Sequence, residues 1–390
     1  MNPITNINFK DESFRMFLID ELAETFGNKV DGNEIIRLTL GNSELPLNQK
    51  IIEKMIKALQ DHDFRRQVYP VGLPELREKI SEYYKEVNHV NINPKNIIVS
   101  SGTSMIFRNL FQLFSNENTN VLLPFPYYSV YHFSALLSKT KINFYQVTEN
   151  GLDIKSFTEN YDEKTSIVLI NSPGNPYGNI LSRKELEEII RIVDGKALII
   201  FDEIYSNVWF DERPVSLIEY VNKYNNIIIT NSFSKGFRMY SRRIGYCVVP
   251  NKIVEPLTVI QQHTHLTSDP VSQAGAIAAL ENKEDVEELR TLYMSRRDYI
   301  ENKMKKCPNI RVIHSFGGFY ITINCRAFMI LRSINSSIDL CEDILKVVKV
   351  AVVPGSDFGV PDCIRISFTC DRFNEGVDRL VEYFGGIACD

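Results

Sequence analysis

Lys235 stands in Ser232-Phe-Ser-Lys-Gly-Phe-Arg-Met-Tyr-Ser-Arg-Arg-Ile-Gly-Tyr246, a Ser- and Gly-rich turn that follows the apolar run Ile227-Ile-Ile-Thr230. A lysine amine adds to a carbonyl carbon to give a Schiff base. Arg243, eight residues on, leads into a second apolar run, Ile244 to Val249. A guanidinium gives a phosphate a bidentate pair of hydrogen bonds, and a hydroxyl such as that of Ser232 gives a single one. One short segment can therefore hold an aldehyde at one end and a phosphate at the other, the two groups of pyridoxal phosphate. A lone lysine in a basic surface loop would look the same, so the other parts of such a site must be found elsewhere in the chain.

Those parts fall at the ends of short apolar runs. In Asn96-Ile-Ile-Val-Ser-Ser-Gly102-Thr103-Ser-Met105 a run turns at glycine into a helix. Free N–H groups at a helix start, with small hydroxyls beside them, suit an anion. Pro124-Phe-Pro-Tyr-Tyr-Ser-Val-Tyr131 offers aromatic faces on which a ring can stack, or which form core. The two prolines and two glycines of Asn171-Ser-Pro-Gly-Asn175-Pro-Tyr-Gly178 fix a tight loop that aims Asn175 as a neutral hydrogen-bond donor. Asp202, in Asp202-Glu-Ile-Tyr205, ends an apolar run, where a desolvated carboxylate needs a cation such as a protonated pyridine nitrogen. Tyr205, one helical turn further, can reach the same ligand. The plainer reading of Asp202 is a helix N-cap.

The elements that must position these residues are short runs of Ile, Val and Leu: 96–100, 120–124, 166–171, 197–202, 226–230 and 244–249. They are too short for helices and apolar throughout, as strands buried on both faces should be. Segments of helical period lie between them. Ser182-Arg-Lys-Glu185 opens one with a capping box, and Met105 to Phe114 is another. Alternating strand and helix predicts an α/β three-layer sandwich with a mostly parallel central sheet, whose ligands sit beyond the carboxyl ends of the strands. The expected division is a large domain over 46–282, a smaller α+β domain over 283–390, and an N-terminal segment, 1–45, packing with the smaller one. The smaller domain should hold a charged helix at 283–306, strands at 319–324, 350–353 and 364–368, and a last helix from Asn374.

Composition narrows the class. The 390 residues carry a net charge of -5, with Lys and Arg scattered, so there is no footprint for nucleic acid. Seven cysteines, none in a Cys-x-x-Cys pair, argue for free thiols and against a zinc site. His263 and His265 are too few ligands for a metal. No apolar run reaches the roughly 20 residues that span a bilayer. The N-terminus lacks the order of a signal peptide, so a cytoplasmic protein is expected.

In combination, Asn-x-Pro-x-Asn-Pro-x-Gly at 171–178 and Ser-Phe-Ser-Lys at 232–235, with a downstream Arg-x-Gly, resemble the class I/II aminotransferases. These form the aspartate-aminotransferase-like branch of fold-type I pyridoxal phosphate enzymes. The resemblance runs from about Ile36 to Phe368. It implies that Lys235 forms the Schiff base and transfers the substrate proton, and that Asp202 pairs with the pyridinium nitrogen. It implies that Asn175 and Tyr205 bond the ring hydroxyl, that Tyr128 stacks on the ring, and that Gly102, Thr103, Ser232 and Arg243 hold the phosphate. Tyr69 matches a tyrosine that reaches the neighbouring subunit's phosphate, which implies a homodimer. Arg365, in Ile364-Arg-Ile-Ser-Phe368, matches the arginine that grips the α-carboxylate of the substrate. The implied reaction moves an amino group between an α-amino acid and a 2-oxo acid.

Some residues depart from that pattern. Arg238, three after Lys235, reads as a solvated charge or as an added phosphate or substrate contact. Asn42-Ser-Glu44 replaces a more usual Gly-acid-Pro, and Glu44 is either a surface acid or a partner for a cationic substrate. The stretch 261–269 is unusually polar for a region bordering such a site. Lyases or cyclases resembling capreomycidine synthase, and oxidases, share the same cofactor ligands and form the alternative class.

Overall fold

The computed structural model describes residues 29–30, 33–39, 41, 43 and 45–386. Eight strands build the main sheet: β1 (Ile97–Ser100), β2 (Asn120–Phe125), β3 (Lys141–Thr148), β4 (Gly151–Leu152), β5 (Thr165–Asn171), β6 (Leu198–Asp202), β7 (Ile227–Ser232) and β8 (Gly245–Val248). Their order is β1-β8-β7-β6-β5-β2-β3-β4. The centre is parallel, while β8 runs antiparallel to both its neighbours and β4 is antiparallel to β3.

The apolar runs are continuous because each face of this sheet is covered. Ile97, Val99, Ile199, Phe201, Ile227 and Ile229 point into one core, and Ile98, Leu198, Ile200 and Ile228 into another. Burying a side chain of this kind contributes roughly 1.5–3 kcal/mol. The helices that matter for the site are α1 (Gln49–Gln60), α2 (Pro74–Asn88), α3 (Thr103–Phe114), α4 (Ser129–Leu137), α5 (Arg183–Val193), α6 (Asn251–His265) and α7 (Pro270–Glu281). The α5 capping box forms: Ser182 Oγ accepts from the Glu185 N–H while Glu185 accepts from the Ser182 N–H.

Helix α8 (Lys283–Met304) leads to a second sheet of β9 (Arg311–Ile313), β10 (Tyr320–Asn324), β11 (Val353–Pro354) and β12 (Cys363–Ser367). All its pairings are antiparallel, in the order β9-β10-β12-β11. A third core forms there, joining Ile36 and Leu38 to residues from Leu289 to Phe384, with Tyr205, Val208 and Phe210 from the segment after β6. The strand expected at 350–353 divides in two. Val350–Ala351 pairs in parallel with Ile36–Arg37, whereas Val353–Pro354 joins β12. A run of apolar residues cannot show that consecutive strands change partners.

Candidate active site

Strand register brings the expected residues into rows. β6 lies between β5 and β7, so Asp202 has Asn171 on one side and Thr230 on the other. β8 places Gly245 between Ser232 of β7 and Ser100 of β1. Asn171, Asp202, Thr230, Ser232 and Ser100 lie at or near the carboxyl ends of their strands, Gly245 begins the antiparallel β8, and the start of α3 lies beside them.

Asp202 is buried. Tyr131 donates to its Oδ2 at 2.5 Å, Thr230 donates its hydroxyl to Oδ1 at 3.2 Å, and the Ile204 N–H donates to Oδ1 at 3.3 Å. Burial pushes the carboxyl up to about 6, against the pull of these bonds and of Lys235. Neither the helical turn expected after Asp202 nor its N-cap role is found. The chain makes a non-helical turn, with the Ser206 N–H donating to Glu203 and the Val208 N–H to Tyr205. Tyr205 is nonetheless buried there, packed edge-on to Phe319 and Tyr320 and hydrogen-bonded to the Tyr320 hydroxyl. Tyr128 stands at the N-cap of α4, edge-on to Tyr131 at 5.6 Å. The adjacent acid, Glu203, points into a separate buried network with Tyr84, Asn231 and Ser216.

Lys235 donates its amine to the carbonyl oxygen of Gly41. The amine lies 5.0 Å from the ring centre of Phe319, 5.1 Å from that of Tyr240 and 6.0 Å from that of Tyr205. Burial brings it down to about 7; Arg365 and Arg243 push the same way, and Asp202 opposes them. A lysine that is half neutral near pH 7 can move a proton.

Gly102, Thr103 and Arg243 lie together at the start of α3 and form a candidate anion cradle. Gly102 has φ 87°, and a Cβ on it would stand 2.6 Å from Nη2 of Arg243, so only glycine fits. No side chain caps the start of α3, which leaves its first N–H groups for an anion. Arg243 donates to the carbonyl of Tyr240 at 3.0 Å and lies over that ring. Ser232 shapes the loop. Its hydroxyl donates to the Ile244 carbonyl and accepts from the Ser234 N–H, each at 3.0 Å.

Arg365 comes from the second sheet, on β12, and is buried. Its guanidinium is sandwiched between Tyr320, 3.9 Å from the ring centre, and Phe358, 4.5 Å away. It donates to Asn175 Oδ1 at 2.9 Å, which leaves the Asn175 amide nitrogen as the donor. The Asn175 backbone N–H is held by Asn171 at 3.0 Å. Nε of Arg365 is buried without a partner, a donor that a carboxylate would satisfy.

Asp202, Lys235, Tyr205, Tyr128, Asn175 and Arg365 thus converge, with Gly102, Thr103, Ser232 and Arg243 at one end. Tyr69 does not join them within the chain: it is 40% exposed, its carbonyl accepting from Thr267. Three participants escaped the sequence reading. Tyr131 sits in an aromatic run that reads equally as core, Gly41 acts through its carbonyl, and Tyr320 has no motif of its own. Arg238 is neither solvated nor in contact with the cradle; it forms a buried ion pair with Asp285. The polar stretch 261–269 is structural. Buried Gln261 donates to the carbonyls of Pro70 and Val99, and Asp269 caps α7. Glu44 lies outside the described residues. Among the described residues, no group of three or more His, Cys, Asp or Glu could hold a metal ion, and no helix is long and apolar enough to cross a membrane.

The sequence profile of the family "Aminotransferase class I and II" matches residues 33–384. The chain belongs to this family. Class I and II aminotransferases depend on pyridoxal phosphate and transfer amino groups between amino acids and oxo acids, and this chain is an enzyme of that kind. It is 31% identical to a probable aspartate/prephenate aminotransferase of Aquifex aeolicus over 90% of this chain and 91% of that one. It is 30% identical to an aspartate aminotransferase of a Bacillus species over 90% and 92%. The crystal structure of the Thermotoga maritima aspartate aminotransferase aligns with a TM-score of 0.85 at 26% identity, covering 95% of this chain and 97% of that one. The aromatic aminotransferase of Pyrococcus horikoshii aligns with a TM-score of 0.83 at 29% identity, covering 94% and 98%. The α/β sandwich with its small antiparallel sheet is the aminotransferase fold.

Proposed function

We propose that this aminotransferase holds pyridoxal phosphate with Lys235 at its carbonyl carbon, Asp202 at its ring nitrogen and its phosphate among Gly102, Thr103 and Arg243. One observation carries the reading: a buried carboxylate, a half-buried lysine whose amine is half neutral near pH 7 and a buried guanidinium with a spare donor come together at the strand ends. The residues present fit the group. The glycine cradle suits an anion, and the buried carboxylate of Asp202 suits a cation beside it.

Bound there, the cofactor supplies a carbonyl that takes up the amino group and a ring that draws electrons from Cα. The protein does the rest. Arg365 grips the α-carboxylate with donors that Asn175, Tyr320 and Phe358 hold in plane. Asp202 keeps a positive charge at its oxygens, and Tyr131 and Thr230 keep those oxygens in place. Lys235, neutral at Nζ, takes the proton from Cα and returns it one position away, with the Gly41 carbonyl orienting the amine. Asn175 and Tyr205 would bond the ring hydroxyl, Tyr128 would cover the ring, and Ser232 shapes the turn that would lie beside the phosphate.

A homodimer completes the proposal. Val68, Tyr69, Ile56, Leu59, Val259 and Leu266 are exposed. They lie on segments tied together by the Thr267–Tyr69 and Gln261–Pro70 bonds and by packing of the 64–66 turn on α1. Such a patch, with Tyr69 in it, supports a second copy docking there. The division into 1–45, 46–282 and 283–390 is part of the same reading, supported by the separate cores. A reducing, cytoplasmic setting is supported by the six cysteines among the described residues, all of them buried and free. The test is spectroscopic. Purified protein given pyridoxal phosphate should develop a visible absorbance that Lys235→Ala lacks; a wild type that stays colourless would contradict the reading.

A further inference from the structure

Arg238 has a part that its position near Lys235 alone does not explain. Its backbone N–H donates to the Lys235 carbonyl at 3.2 Å, closing the turn that carries the amine. Its φ is 58°, a left-handed conformation that a residue with a Cβ adopts at a cost and glycine adopts freely. The side chain nevertheless reaches inward to pair with Asp285, the exposures of the two side chains being 9% and 6%. Nε of Arg238 is buried with no partner. A buried pair of this kind is weak evidence for stability, because desolvating both charges offsets their attraction; fixing a registry is its best-attested use.

Its location says which registry. Asp285 lies in the first turn of α8, where the helix dipole favours an acid. One residue later Val286 packs on the core of the large sheet, while Leu289, Tyr293 and Ile300 lie in the core of the small one. Arg238 therefore binds the lysine turn to α8 where that helix passes from one core to the other. Elsewhere in the site, Asn175, in the loop that follows β5 of the large sheet, accepts from Arg365 of the small sheet. The two ties bracket the place where a substrate must have its Cα at Lys235 and its carboxylate at Arg365.

We propose that Arg238 is a positioning residue: through Asp285 it sets the distance between the Lys235 amine and the Arg365 guanidinium. The inference rests on the reading of Lys235 as the reacting amine. Misplacing a catalytic group by about 1 Å costs on the order of 100-fold in rate. Arg238→Met and Asp285→Asn, each loaded with pyridoxal phosphate, should lose kcat by about that factor while KM for the amino acid changes less than about threefold, since Arg365 is untouched. Arg238→Gly should lose as much, although glycine suits the backbone there. If Arg238→Met does not fold, that variant carries the test. The charge-swapped protein, Arg238→Asp with Asp285→Arg, should recover at least about tenfold over either single change, because the coupling of two contacting residues is not additive. In cofactor-free protein, the pH midpoint for amine labelling of Lys235 should move in Arg238→Gly. Folded variants with kcat within about twofold of wild type and an unmoved midpoint would overturn the proposal, as would a rise in KM at constant kcat. If instead Lys235→Ala keeps the wild-type absorbance, it is the reading of Lys235 that fails.

Discussion

Replacing Asp202 by Asn should make the cofactor-free protein more stable and the loaded enzyme nearly inactive. The carboxyl is wholly buried and titrates at about 6, against its usual 3.8. Between those values the folded protein keeps a proton that the unfolded chain has lost. Stability therefore falls as pH rises through that window, and the penalty is complete above about 6. At about 1.36 kcal/mol per pH unit, the difference is about 3 kcal/mol. Asn has the same shape, and its Oδ1 can accept from Thr230 and the Ile204 N–H as the aspartate does now. The Tyr131 hydroxyl, which now donates, would have to turn and accept. Above about 7 the Lys235 amine is itself mostly neutral, so losing its attraction to Asp202 takes little from the gain. Urea unfolding of stripped protein should show Asp202→Asn ahead by about 3 kcal/mol at pH 7.5 and by about half that at pH 5. Removing one partner of a buried charge pair costs about 2–5 kcal/mol, so the amino-transfer rate of the loaded variant should fall by roughly 30-fold or more. A variant less stable than wild type at pH 7.5, or one whose gain does not shrink toward pH 5, would refute the reasoning.

Two further substitutions probe the ends of the cofactor site. Tyr131→Phe removes a charge-assisted bond of about 1.5–3 kcal/mol and should raise Asp202 by about another 1–2 pH units. Pyridoxal phosphate affinity, followed by fluorescence titration, should then weaken at pH 7 and recover as pH rises; a loss that does not vary with pH would place the role of Tyr131 elsewhere. Gly102→Ala brings a Cβ against Arg243 at φ 87°. It should weaken pyridoxal phosphate at least about tenfold and leave pyridoxal, which has no phosphate, unaffected. Equal losses for both would remove the anion cradle from the account.

The sheet was legible because parallel strands covered on both faces must be apolar along their whole length, and because ligands gather where such runs end. Asp202, Asn175 and the Gly102 turn could be placed for that reason, and Lys235 and Arg243 by their spacing in one turn. What stayed hidden are bonds between distant segments. Tyr131 reaches Asp202 across 71 residues of chain, and nothing in its neighbourhood separates it from a core aromatic. Arg238 reads as solvated because its partner, Asp285, belongs to a helix whose packing is fixed only when both cores form. The turn at Tyr205 took the place of a helix because that tyrosine packs into the core of the small sheet, a tertiary contact that overrides local preference.

The most direct test of the account is a single half-reaction. Protein loaded with pyridoxal phosphate is mixed with excess of one amino acid and no oxo acid, and the oxo acid and ammonia formed per subunit are counted. Amino transfer through Lys235, Asp202 and Arg365 predicts one oxo acid per subunit, no free ammonia, and renewed turnover only when a 2-oxo acid is added. Continued turnover with ammonia release and no acceptor would contradict it.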